Sequence, residues 1–261
     1  MEIQEFIKNY QEAFGKEAEL PLALWYSDEP VNAIDKVGGC MFRIFNDVRK
    51  GKDVSFSVET IGCGGGKLYT GFAPMNDYIP GFVSGKEHYK DTPEAVKKYV
   101  ADLNIQPASG KYLNFVRIDH IDDFDKAEGL LFFATPDELS GLCSWAFYDN
   151  HEPDAVCVPF GSGCSSTITN IVNENRRGGQ RCYIGLLDPS CRPHFEANIL
   201  SFGIPMSRFK TMLTTMDKCC LLTNTVGWRN VKKRIDNNES ISKAYTYAEI
   251  RRRYSAGVMP D

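Results

Sequence analysis

Apolar residues at Ile3, Phe6, Ile7, Tyr10 and Phe14 recur at helical spacing, which predicts an amphipathic helix that ends at Gly15. Residues 20–26 form an apolar run with Trp25 inside it and read as a buried strand. The stretch 38–49, stopped by Gly51, reads as a helix, and 54–60 alternates like a strand. A glycine-rich turn follows, Gly62-Cys63-Gly64-Gly65-Gly66-Lys67, and feeds a short helix.

A second stretch repeats this order. Residues 130–135 read as a strand, and Pro136 opens a helix toward position 149 with Asp137 and Glu138 in its first turn. Residues 155–160 read as a strand, followed by Gly161-Ser162-Gly163-Cys164-Ser165-Ser166 and the helical spacing of Ile168, Ile171 and Val172. Strand, helix, strand, small-residue turn with a cysteine, and helix thus occur twice, over about 17–75 and 128–215. The expected architecture is one α/β domain over 1–261 with a mixed sheet and two degenerate halves. Further elements are a helix over 92–103, strands over 112–118, 182–187 and 199–204, and a helix that starts at Pro205.

Composition narrows the class. With 43% hydrophobic and 25% charged residues the chain can build a sizeable core, which excludes disorder and coiled coil. A formal net charge of −4 gives no basic footprint for nucleic acid, and the runs Lys232-Lys233-Arg234 and Arg251-Arg252-Arg253 read as solvated helix faces. No apolar stretch approaches the ~20 residues of a membrane span, and the first eight residues lack the basic and apolar regions of a signal peptide. A cytoplasmic protein is expected, with no membrane or nucleic-acid partner and with its nine cysteines mostly reduced.

Several motifs are excluded by spacing. The first glycine turn lacks both the spacer and the Ser or Thr after Lys67 of a phosphate loop. Its Gly62-x-Gly64-x-Gly66 pattern is not that of a dinucleotide fold, and the chain contains neither Cys-x-x-Cys nor His-Glu-x-x-His. What remains is positional. Cys63, Cys164 and Cys191 each follow a strand and stand at or just before an expected helix N-terminus, where unpaired N–H groups favour a thiolate. Turns at the same ends of parallel strands lie close together, so the three are expected to share a site.

The order of these pieces resembles the family catalogued as domain of unknown function 169, uncharacterised proteins of archaea and bacteria. The resemblance runs from about position 15 to 235. It rests on a cysteine on the first internal helix, Cys63, Phe132-Phe133-Ala134-Thr135-Pro136, Cys164, Cys191 and Ser201-Phe202-Gly203-Ile204-Pro205. The family name supplies no activity, but the resemblance adds Cys40 to the set. Family members often carry Pro and Ala where this chain has Gly64-Gly65-Gly66, and glycines where it has Arg192-Pro193-His194.

Three functions follow. The leading one is an iron–sulfur cluster or other thiolate-bound metal on Cys63, Cys164 and Cys191 with Cys40 as fourth ligand, serving redox or cofactor-related metabolism with an unidentified small molecule or redox partner. The second is an enzyme with Cys191 as nucleophile and His194 as acid or base, oriented by Asp188 or Glu196. The third is a non-catalytic module that binds a small anion or small molecule through Gly64, Gly65, Gly66, Lys67, Gly163, Ser165 and Ser166. Trp25, Tyr69, Phe72 and Trp145 are candidates to line its pocket, each with core packing as the plainer role.

Overall fold

The computed structural model describes residues 2–223, 225–237, 251, 252 and 255. Its elements, in chain order, begin with α1 (Ile3–Phe14), β1 (Leu22–Ser27), a 3-10 turn over Met41–Ile44, α2 (Phe45–Arg49), β2 (Val54–Phe56), α3 (Gly64–Tyr69), α4 (Tyr78–Gly85) and α5 (Pro93–Asp102). There follow β3 (Tyr112–Arg117), β4 (Gly129–Ala134), α6 (Pro136–Tyr148), β5 (Val156–Cys157), α7 (Asn170–Arg176), β6 (Cys182–Gly185), β7 (Leu200–Pro205), α8 (Met206–Leu213) and α9 (Val226–Asn237). The seven strands form one mixed sheet in the order β2-β3-β1-β4-β7-β6-β5, as the α/β reading expects. The β5–β6 pair is parallel and the other five adjacent pairs are antiparallel.

Side chains on a strand alternate between faces, and both faces of this sheet are buried. On β4, Leu130, Phe132 and Ala134 join the core packed beneath α1, α6 and α8, while Leu131 and Phe133 join a second core on the other side. Full burial of one such side chain contributes about 1.5–3 kcal/mol, and an unbroken apolar run is what a two-sided strand requires. In the first core Tyr10 meets Phe132 with ring centroids 5.6 Å apart, and Trp145 of α6 donates its indole N–H to the Met212 carbonyl at 3.0 Å. In the second, Phe45 lies edge-on to Phe115 at 5.0 Å. A Cβ added at Gly129 or Gly203 would strike Ile171, so these two glycines let α7 lie directly on the sheet.

Local chemistry explains where elements begin and stop. Thr135 and Glu138 form a capping box around Pro136, which starts α6 at the position the sequence predicts. The helix expected over 38–49 begins at Met41 as a 3-10 turn, because Gly39 adopts φ +76° and is not helical. The strand expected over 54–60 ends at Phe56, where the Thr60 hydroxyl accepts from the Ser57 N–H at 2.8 Å and closes a turn. The strand expected over 155–160 shrinks to Val156–Cys157, since Pro159 has no N–H to give a ladder.

The two similar stretches share an order of elements but differ in placement. α2 packs through Phe45 and Val48 into the second core, whereas α6 packs through Leu142 and Trp145 into the first, on the opposite face. Among the C-terminal basic residues, Arg234 pairs with Asp137 and Lys232 with Asp236. Arg253 lies outside the described residues, as does the part of the expected 1–261 domain at 1, 224, 238–250, 253, 254 and 256–261. No helix among the described residues is long and apolar enough to cross a membrane.

Candidate functional site

Cys63 caps α3. Its sulfur accepts the Gly66 N–H at 3.1 Å, and extended backbone at φ −99° and ψ 145° turns the chain into the helix. Cys164 stands before a single π-helical turn over Ser165–Thr169, with its thiol 3.6 Å from the Met41 sulfur. Cys191 opens a 3-10 turn over Arg192–His194 and donates its S–H to the Asp188 carbonyl at 3.2 Å. Cys40 precedes the 3-10 turn over Met41–Ile44.

All four thiols line one cavity of about 510 Å³. The route to this convergence differs from the sequence expectation. β2 runs opposite to β5 and β6, so Cys63 does not follow a strand parallel to those before Cys164 and Cys191. The turns meet over one face of the sheet because α3 and the π turn pack together, with the Thr169 hydroxyl donating to the Tyr69 carbonyl at 2.6 Å. Close backbone approach completes the junction. A Cβ at Gly163 would lie 2.7 Å from the Cys191 sulfur and 3.0 Å from the Phe42 ring. Gly163→Val is therefore expected to cost about 1–3 kcal/mol by overpacking. A urea melt would check it, and an unchanged midpoint would mean the two turns are not in contact.

The opposite wall is a helical hairpin, α4 and α5, which contributes Tyr78, Phe82, Val83, Val96 and Tyr99, with Glu87, Tyr89 and Lys90 from the link between the helices. Tyr78 is 69% exposed, Phe160 58% and Tyr89 37%, so apolar rings stand open to solvent around the mouth. The floor is different. Gly64 and Gly65 are helical glycines whose added Cβ atoms would meet nothing closer than 3.5 Å, so packing does not demand glycine at either.

Burial sets the state of the thiols. Desolvation pushes Cys40 up to about 11 and Cys191 up to about 12, and it holds Cys164 well above the ordinary range with added repulsion from Cys63, Cys40, Cys191 and Asp188. These three are neutral thiols at pH 7. Because the pKa values of Cys40 and Cys191 are raised in the folded state, the contribution of these two to stability is complete below the unfolded value near 9 and is lost as pH rises toward 11–12. Half-exposed Cys40 is expected to react with iodoacetamide roughly 100-fold more slowly at pH 8 than a free thiol, with a rate that rises about tenfold per pH unit up to about pH 10. A plateau below pH 8 would show an activated thiolate and refute this.

The other expected residues divide. Gly64, Gly65, Gly66 and Gly163 line the cavity, as does Tyr69. Ser165 is buried and donates to the Ser162 carbonyl at 2.8 Å, and Ser166 bonds the Gly163 carbonyl and the Leu186 N–H, so both hold the turn rather than line the cavity. Lys67 and His194 are not among the lining residues. Neither acid suggested as an orienter of His194 is spent on it. Asp188 accepts from the Gly163 N–H at 2.9 Å and from Ser190, while Glu196 is held by Arg49 at 2.6 Å and lowered by that bond. Trp145 lies in the opposite core, Trp25 packs at its edge, and Phe72 packs on Tyr26.

All nine cysteines are free thiols. Although four share the cavity, no group of three or more His, Cys, Asp or Glu side chains among the described residues is arranged to hold a metal ion. The expected metal centre thus has its residues on one wall without the geometry of a coordination sphere. The α4–α5 hairpin and Phe160 were not read from the sequence as site residues. Their signal was the run of rings at 78, 82, 89 and 99 in a segment whose Pro80, Gly81 and Gly85 obscure helical periodicity.

The fold and the site together define a mixed-sheet α/β protein with a thiol- and aromatic-lined cavity over one face. The sequence profile of DUF169, described as an uncharacterised ArCR family, matches residues 17–215, and the chain belongs to that family. The matched span holds every strand and every cavity residue and leaves α1 and α9 outside. No curated protein and no solved structure matches the chain.

Proposed function

We propose that this protein binds a small, largely apolar organic molecule in the cavity between the cysteine turns and the α4–α5 hairpin. The observation that carries this reading is the floor. Glycine costs roughly 0.5–1 kcal/mol within a helix relative to alanine, yet no neighbour forbids a side chain at Gly64 or Gly65, where an added Cβ would make only ordinary contacts, with Asn76 at 3.5 Å and with the Tyr69 ring at 3.9 Å. A bare backbone there leaves room for a ligand against α3. The volume of about 510 Å³ lies within the roughly 300–1,000 Å³ of ordinary small-molecule pockets, and the walls are aromatic with few polar groups. Neutral thiols then act as soft, weakly polar wall atoms.

Calorimetric titration with indole, a neutral aromatic probe that fits this volume, tests the proposal. One site per chain is expected, in the micromolar to millimolar range. Absence of heat together with an unchanged melting temperature at saturating indole would refute it.

Four thiols on one wall also support a second reading, a soft metal or an iron–sulfur cluster, in which the turns would have to draw together around the metal. Metal and acid-labile sulfide content of protein purified without oxygen tests that reading, with the Cys63, Cys164 and Cys191 to Ser triple variant as control. Iron and sulfide lost in the variant would support it, and their absence from the native protein would remove it.

A further inference from the structure

Asp188 is 5% exposed and lines the cavity, and each of its hydrogen-bond donors is neutral. Its carboxylate accepts from the Gly163 N–H at 2.9 Å, the Ser190 N–H at 2.8 Å and the Ser190 hydroxyl at 2.8 Å. Asp188 makes no ion pair with any described residue. The contrast within this chain is informative, because the buried carboxylate of Glu174 and the buried guanidinium of Arg208 each have an opposite charge, Arg177 and Asp149 respectively. Dipoles can hold a buried carboxylate, but they leave its field uncancelled in the apolar space beside it.

The lining adds one more acid, Glu87, and one base, Lys90, so the cavity carries net negative charge. Desolvation raises the titration of Glu87, Tyr89 and Tyr99, which line the same cavity, and the charge of Asp188 adds to the rise in each case. The hairpin wall already accepts a cation. The Lys90 ammonium sits 5.2 Å from the centroid of the Tyr99 ring, a cation–π distance at the rim. Tyr78 and Phe82, whose rings stack on each other at 5.3 Å, line the same cavity.

We infer that the ligand is an organic cation, a protonated or quaternary amine on an apolar body, with Asp188 as its counter-charge and the hairpin rings as its cage. This rests on the ligand-binding reading above and names its chemical class. It also disfavours a phosphate or carboxylate at the glycine turns, because both acids would repel one.

The test compares three probes of similar shape by calorimetry: phenyltrimethylammonium, its neutral isostere tert-butylbenzene, and benzoate. The native protein is expected to bind the cation about tenfold more tightly than the isostere, and benzoate at least tenfold more weakly than either. Asp188→Asn keeps the side-chain shape and an acceptor for the Gly163 N–H, and should bring cation and isostere within about threefold. Should that variant fail to fold, Glu87→Gln at the half-buried rim is expected to lower cation affinity about twofold to threefold and leave the isostere unchanged. Equal or tighter binding of the isostere would overturn the charge assignment while the cavity reading stands. Binding of none of the three while indole still binds would overturn the charge assignment alone, and loss of indole binding as well would overturn both, as would cation binding that survives a side chain built into the floor at Gly65.

Discussion

Gly65→Leu will weaken ligand binding at the cavity about a hundredfold and leave the protein at least as stable as the native chain. The Cβ at this position meets nothing nearer than the Tyr69 ring at 3.9 Å, and the backbone is helical, so a side chain is accepted without strain at a residue that lines the cavity. Glycine is the costliest residue here short of proline, and leucine should recover up to about 0.8 kcal/mol of helix propensity. A leucine side chain in the floor takes up the space that the aromatic body of a ligand needs, and an affinity loss of about a hundredfold, or about 2.7 kcal/mol, is expected. Calorimetry with indole and a thermal melt on the same sample read both quantities. A variant that binds indole like the native protein would place the ligand elsewhere, and a variant that melts well below it would mean that Gly65 serves packing.

Trp145→Ala acts on the other face of the sheet and should have the opposite signature. Trp145 is fully buried, stacks on Phe6 at 6.3 Å, meets Phe209 edge-on at 6.0 Å and donates to the Met212 carbonyl at 3.0 Å. Truncation of a buried ring of this size leaves a cavity and is expected to cost about 3–5 kcal/mol. For a chain of this length that lowers the melting temperature by roughly 6–20 °C. Indole affinity, measured well below the transition, should be unchanged, because the ring belongs to the core beneath α1, α6 and α8 and the cavity to the opposite face. A loss under about 1 kcal/mol would contradict this packing of Trp145.

The two variants separate the jobs of the two faces. One face, closed by α1, α6, α8 and α9, is packed with Phe6, Tyr10, Trp145 and Phe209 and supplies stability. The other is also a core at its base, through Phe45, Phe115 and Phe133, but its outer layer of turns and the α4–α5 hairpin stands off far enough to leave the cavity. Arg49 secures the edge of that layer. It bonds Glu19 and Glu196 and stacks over Phe133 with its guanidinium carbon 5.0 Å from the centroid, which explains why Glu196 is not available to His194.

Local chemistry in the chain determined much of this protein by itself. The apolar run of β4, the capping signal at Thr135-Pro136, the 3.6-residue spacing of α1 and the three cysteines at turns after strands are short-range properties, and all of these elements form close to where the sequence places them. Where an expected element came out shorter, a nearby residue was decisive, as with Gly39, Thr60 and Pro159. Tertiary structure decided what no neighbour in the chain could. β3 inserts between β2 and β1, and the direction of β2 against β5 and β6 removes the parallel-strand argument for a shared site, yet the cysteine turns still meet over one face. The hairpin that lines the cavity, the absence of an ion pair to Asp188 among the described residues and the freedom of Gly64 and Gly65 from any neighbour that forbids a side chain are likewise long-range facts. Strand order, cavity volume and uncompensated charge are sums over residues far apart in sequence, whereas periodicity and caps record the energetics of a single turn or strand.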